Sequence, residues 1–148
     1  MKLMQKMIEY IKENKYVDYC ELCENNRYES IECYKEINPE YYESVINNIH
    51  NIDSPFNKYI KNAEELKKQG NIDEELSVLK DAINIDIDTP GAYERASILY
   101  SKKGDYSEAI SVAKRWFENG NWTIPNCTNM TKKLLARLKK LEERISKI

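Results

Sequence analysis

Apolar residues recur along this chain at helical spacings of three and four, with no long run of β-branched alternation. The pattern predicts helices at about residues 2–14, 16–25, 28–36, 39–51, 55–69, 73–86, 90–103, 106–119 and 129–147. The last segment shows it most plainly: Leu134, Leu138, Leu141, Ile145 and Ile148 are separated by 4, 3, 4 and 3 residues, one apolar seam with basic residues elsewhere. Start signals reinforce the pattern. Asn38-Pro39, Ser54-Pro55 and Thr89-Pro90 each set a capping side chain before a proline, which fits the first helical position because its missing N–H is not needed there. Gly70, Gly104 and Gly120 follow three predicted helix ends, where a left-handed residue closes the last turn. Residues 121–126, with Pro125, read as a loop before the final helix.

The middle of the chain repeats itself. Lys68, Gly70, Glu74, Ser77, Val78 and Lys80 recur as Lys102, Gly104, Glu108, Ser111, Val112 and Lys114, each 34 residues later. Asn71/Asp105, Ile72/Tyr106 and Leu76/Ile110 are conservative matches at the same offset, and Ser54-Pro55 returns as Thr89-Pro90. Two helices joined by a short glycine turn, recurring every 34 residues, resemble the tetratricopeptide repeat over about residues 55–120. Tyr93, Tyr100, Gly104-Asp105-Tyr106 and Ala109 stand at that family's aromatic, turn and helix-crossing positions; Tyr59, Ala63, Leu66, Gly70, Ile72 and Ala82 do so in the first unit. The chain departs from the pattern with Glu75 at a small crossing position, Asn62 at an apolar one, and Trp116 and Ser97 at small ones. Glu75 and Trp116 suggest loosened or distorted hairpin packing.

The resemblance implies an all-α solenoid fragment of two hairpins over residues 54–120, within a single domain. Such hairpins need covering at their ends, and residues 1–53 and 128–148 are the candidates, as an N-terminal helical cap and a C-terminal capping helix. The leucine seam of that last helix serves either to pack on the second hairpin or to pair with a second copy as a short coiled coil. The resemblance also implies that the first helix of each hairpin lines a concave surface for a protein or peptide partner. Its inward positions are Asn57, Lys61, Glu64 and Lys68, then Glu94, Arg95, Ile98, Ser101 and Lys102. Arg95 could grip a partner's carboxylate with both arms of its guanidinium. The family's chaperone-tail clamp does not carry over, because the matching asparagine pair is missing.

Composition adds an asymmetry. Net charge is −2, yet residues 131–148 hold seven lysines and arginines against two glutamates, so a basic tail helix follows an acidic body. With an overall pI of 5.6 and no recognised motif, nucleic acid is the secondary expectation rather than the first. The Lys-, Asn- and Ile-rich usage is that of an AT-rich genome, compatible with a bacterial or phage source and with a stoichiometric inhibitor from a mobile element.

Candidate chemistry is sparse. Cys20 and Cys23 have metal-like spacing, and Cys33 lies near them, but only Cys127 or His50 could complete a zinc site and no second cysteine pair exists. Packed free thiols of a reducing compartment are the expectation, with no metal or cofactor. His50 closes the fourth predicted helix, where a cation suits the dipole. No glycine-rich phosphate loop, HExxH or EF-hand pattern is present, so a non-enzymatic protein is expected. The N-terminus, MKLMQKMIEYIKENKY, carries charges through its apolar stretch and reads as neither a signal peptide nor a membrane span, pointing to a cytoplasmic chain. The Asn-x-Thr triplets at Asn121, Asn126 and Asn129 then carry no glycosylation meaning. Seven of the 11 tyrosines crowd the first third: Tyr10, Tyr16, Tyr19, Tyr28, Tyr34, Tyr41 and Tyr42. They suit either half-buried core edges or an interface.

Overall fold

In a computed structural model, which describes residues 2–147, the chain is all-α. Among the described residues nine helices follow in order: α1 (Lys2–Lys12), α2 (Tyr16–Asn25), α3 (Arg27–Ile37), α4 (Pro39–His50), α5 (Pro55–Lys68), α6 (Ile72–Asn84), α7 (Pro90–Lys102), α8 (Tyr106–Glu118) and α9 (Thr128–Ser146). Two single turns of 3-10 helix, Asn121–Thr123 and Pro125–Cys127, fill the segment before α9.

The local signals operate largely as expected. Asn38 and Ser54 accept hydrogen bonds from the amides of Tyr41 and Asn57. Thr89 does not: its side chain makes no cap bond, and its carbonyl accepts from the Ala92 amide instead. Asn71 and Asp105 supply two further caps, on Glu74 and Glu108. Gly70 and Gly104 lie at φ +71° and +77°, the left-handed conformation that lets the next amide reach back to Leu66 O and Tyr100 O. Asn14 and Asp86 adopt the same conformation without being glycine.

Helices α5 and α6 form one hairpin, α7 and α8 the next, with α6 packed on α7. The α9 helix continues the stack against α8 and α7. Leu134, Leu138 and Leu141 are buried, so the apolar seam is used within the chain and capping is the observed alternative. Ile145 is exposed, and Ile148 lies outside the described residues.

The partner of α9 on its far side is α2, from the opposite end of the sequence. The two run antiparallel: Glu24, late in α2, pairs with Lys132, early in α9, at 3.0 Å, while Tyr16 and Leu138 share one cleft. A third two-helix layer is thus assembled from both ends of the chain. Both caps therefore gather at the second hairpin, while α4 leads the chain back to α5. A tyrosine-rich joint fixes this return. Tyr19 OH donates to Thr123 O at 2.6 Å, Tyr34 OH meets Thr123 Oγ1 at 2.6 Å, and Tyr41 OH bonds Asn121 Oδ1. Asn121, 2% exposed, donates in turn to Ile87 O at 3.0 Å. Tyr16 packs against both Phe117 and Trp122, with ring centroids 4.7 Å apart in each pair.

The residues that break the repeat pattern do not loosen it. Glu75 is buried and held by Arg95. Trp116 is fully buried and donates from Nε1 to Thr131 Oγ1 at 2.9 Å, so the oversized residue joins α8 to α9. Ser97 Oγ donates to Ala109 O at 3.0 Å across the α7–α8 crossing. These three irregular side chains have each found a specific partner, while the fourth, Asn62, is exposed on α5.

Candidate functional site

The inward-facing residues expected from the repeat separate into three groups. On α5, Lys61, Glu64 and Lys68 are solvent-exposed. Asn57 instead closes the α4–α5 turn, donating to Asn48 O and Asn51 O at 2.7 and 2.6 Å. On α7, Arg95 turns to Glu75, with Nε to Oε2 at 2.7 Å and Nη2 to Oε1 at 3.0 Å. The bidentate carboxylate contact expected for a partner is therefore made inside the chain. This hydrogen bond to Glu75 raises the Arg95 pKa above its ordinary value. The remaining α7 residues, Glu94, Ile98, Ser101 and Lys102, share a groove with α9.

That groove encloses about 780 Å³. Its α9 wall is set by helical periodicity. The basic residues Lys133, Arg137, Lys140, Arg144 and Lys147 are separated by 4, 3, 4 and 3 residues, each one position before a residue of the apolar seam. Burying the seam against α8 and α2 therefore turns this stripe towards the groove. Lys102 adds a cation from α7, and Glu94 and Glu143 are the acidic residues of the lining. Ile98 and Leu141 give it an apolar component. The Arg144 guanidinium lies 4.6 Å from the centroid of the Tyr106 ring, a cation–π contact that orients it along the wall.

Two polar atoms of this lining are shielded from solvent without a hydrogen-bond partner, Ser101 Oγ and Arg137 Nε. Leaving a buried donor unpaired costs about 1–3 kcal/mol, more when it is charged. The sequence pointed to the α7 residues and to the basic helix separately. Nothing in it joined them, because the contact brings together residues more than thirty positions apart.

No match to the chain is found among known protein families, curated proteins or solved structures. The groove's own chemistry must carry any functional reading.

The cysteines lie elsewhere. Cys20 and Cys23 are buried, Cys33 and Cys127 half-buried, and all four are free thiols. Burial pushes Cys20 up to about 12 and Cys23 and Cys127 up to about 11, so they stay protonated near neutrality. Among the described residues, no three or more His, Cys, Asp or Glu side chains are grouped to hold a metal ion. His50 is exposed at the end of α4. Of the seven N-terminal tyrosines, Tyr19 and Tyr34 are buried and Tyr10, Tyr16, Tyr41 and Tyr42 half-buried. The interface that Tyr16, Tyr19, Tyr34 and Tyr41 build is internal; Tyr28 alone of the seven projects outward, 85% exposed. Among the described residues no helix is long and apolar enough to cross a membrane.

Proposed function

We propose that this protein is a non-catalytic binding module of the tetratricopeptide type, which receives an acidic segment of a protein partner in the groove between α7 and α9. The observation that carries the reading is the charge of that groove. Six cations, Lys102, Lys133, Arg137, Lys140, Arg144 and Lys147, face two carboxylates, Glu94 and Glu143, in a chain whose net charge is −2. Concentrating positive charge in one cleft of an acidic protein favours an anionic ligand there and steers its approach. Ile98, Leu141 and the Tyr106 ring supply apolar contact as well, which a peptide side chain can use. A module of this kind serves equally as an adaptor or as a stoichiometric inhibitor of the protein it binds.

A basic helix also suits a nucleic-acid backbone, so the test sets the two against each other. The full chain and a Lys140→Glu, Arg144→Glu variant are titrated with fluorescent acidic peptides and with single-stranded and duplex DNA at low salt. The reading expects saturable peptide binding that weakens with salt and is lost in the variant. Oligonucleotide binding that is tighter than peptide binding and lost in the same variant would transfer the groove to nucleic acid.

A further inference from the structure

We propose that the Ser101–Arg137 region of the groove is an oxyanion subsite for a phosphoryl group carried by the partner segment. This inference rests on the groove being the binding site. Ser101 comes from α7 and Arg137 from α9, helices in contact, and both line the same cleft. Ser101 Oγ and Arg137 Nε are shielded from water, yet neither has a hydrogen-bond partner. Their chemistry is complementary to one ligand type. A hydroxyl can donate to an oxyanion, and a guanidinium presents a planar fork of donors that matches carboxylate or phosphate oxygens two at a time.

The surroundings favour phosphate over carboxylate. Lys102 adjoins Ser101 in sequence, and Lys133 and Lys140 lie one helical turn before and after Arg137. Arg144 is held over the Tyr106 ring and shapes the wall beside them. A single carboxylate at this point of the groove brings one charge and two oxygens. A phosphomonoester brings a charge of about −1.5 to −2 and three acceptor oxygens, enough for the guanidinium, the hydroxyl and a flanking ammonium together.

The experiment is calorimetric titration of the full chain with a glutamate-rich peptide bearing one central serine, phosphorylated and unphosphorylated. The phosphorylated form is expected to bind about tenfold tighter, and inorganic phosphate to compete with it. Arg137→Met should abolish the difference between the two forms. Arg137→Lys, which keeps the charge but not the fork, should retain part of it, as should Ser101→Ala, with the melting temperature checking the fold of each variant. Equal affinity for the two peptides would overturn the subsite while leaving the acidic-segment reading standing. Failure of both peptides to bind would overturn both. Saturable binding of inorganic phosphate with no discrimination between the peptides would overturn the assignment to a phosphorylated partner.

Discussion

Arg95 and Glu75 lie 20 residues apart and join the two hairpins through a bidentate pair, at 2.7 and 3.0 Å, in which the carboxylate is only 2% exposed. Breaking a buried pair by removing one partner costs about 3–5 kcal/mol, because the other charge is stranded. The Arg95 side chain is 27% exposed, so water would reach the site and soften that cost. Arg95→Ala is expected to destabilise the fold by about 2–3 kcal/mol. Glu75→Ala should cost about 1 kcal/mol or less, since Arg95 can turn to solvent and Ala109 shows that alanine fits the corresponding crossing. The double replacement should recover most of the Arg95→Ala loss. Urea unfolding of the four proteins tests this, and simple additivity would show that the pair does not couple. Arg95 is accordingly a poor probe of partner binding, because its loss is felt first in the fold.

A second buried polar contact ties α8 to the C-terminal helix. Trp116 Nε1 donates to Thr131 Oγ1 at 2.9 Å, and both side chains are shielded from water. Thr131→Val keeps the shape but removes the acceptor, leaving the indole N–H unpaired at a cost of about 1–3 kcal/mol. Trp116→Phe removes the donor and adds a cavity, and should cost as much or more. Thermal unfolding, with near-ultraviolet circular dichroism to report the indole environment, checks both. A Thr131→Val protein as stable as the parent would mean the indole had found another acceptor.

Much of this architecture was legible because it is local. Apolar spacings of three and four placed the nine described helices, and proline after a capping residue and glycine after a helix end sharpened several of their ends, since each signal acts within one or two turns. The failures are equally physical. Asn14 and Asp86 perform the left-handed turn usually given to glycine, so composition did not advertise them. Glu75 and Trp116 looked like packing faults because their compensating partners, Arg95 and Thr131, are set by tertiary contact. The groove was half visible: its α7 wall followed from the repeat and its α9 wall from charge, but their meeting depends on how α9 packs. The pairing of α2 with α9 had no sequence signal short of the fold itself.

The tyrosine joint gives the protein a defined alkaline limit. Burial raises the phenols of Tyr19, Tyr34, Tyr41 and Tyr93 above their ordinary value of 10.0, and the thiols of Cys20, Cys23 and Cys127 above 9.0. In each case the folded chain holds a proton that the unfolded chain releases sooner. The contribution is therefore complete below about pH 9 and is lost as pH rises through the thiol and then the tyrosine range. The urea midpoint should begin to fall near pH 9 and fall more steeply above about pH 10, with ionisation of the buried phenols appearing together with loss of helix. Ionisation of Tyr19, Tyr34, Tyr41 and Tyr93 while the helices remain intact would contradict the buried joint.

The layer formed by α2 and α9 makes the N-terminal third a structural part of the repeat stack rather than an appendage. A fragment of residues 54–148 retains both hairpins and the basic helix, which is what the sequence alone would choose as the repeat unit. It would nevertheless strip α9 of one packing face, remove the Tyr16 contacts with Phe117 and Trp122, and leave Thr123 without Tyr19 and Tyr34. Repeat layers gain stability from their neighbours, so an uncovered terminal layer frays. The fragment is expected to lose cooperative unfolding and to bind a hydrophobic dye, and a peptide of residues 1–53 added in trans should restore a single transition. If the fragment alone melted cooperatively at the temperature of the full chain, the two-ended layer would contribute nothing to stability. The groove on α7 and α9 would then owe its shape to the second hairpin alone.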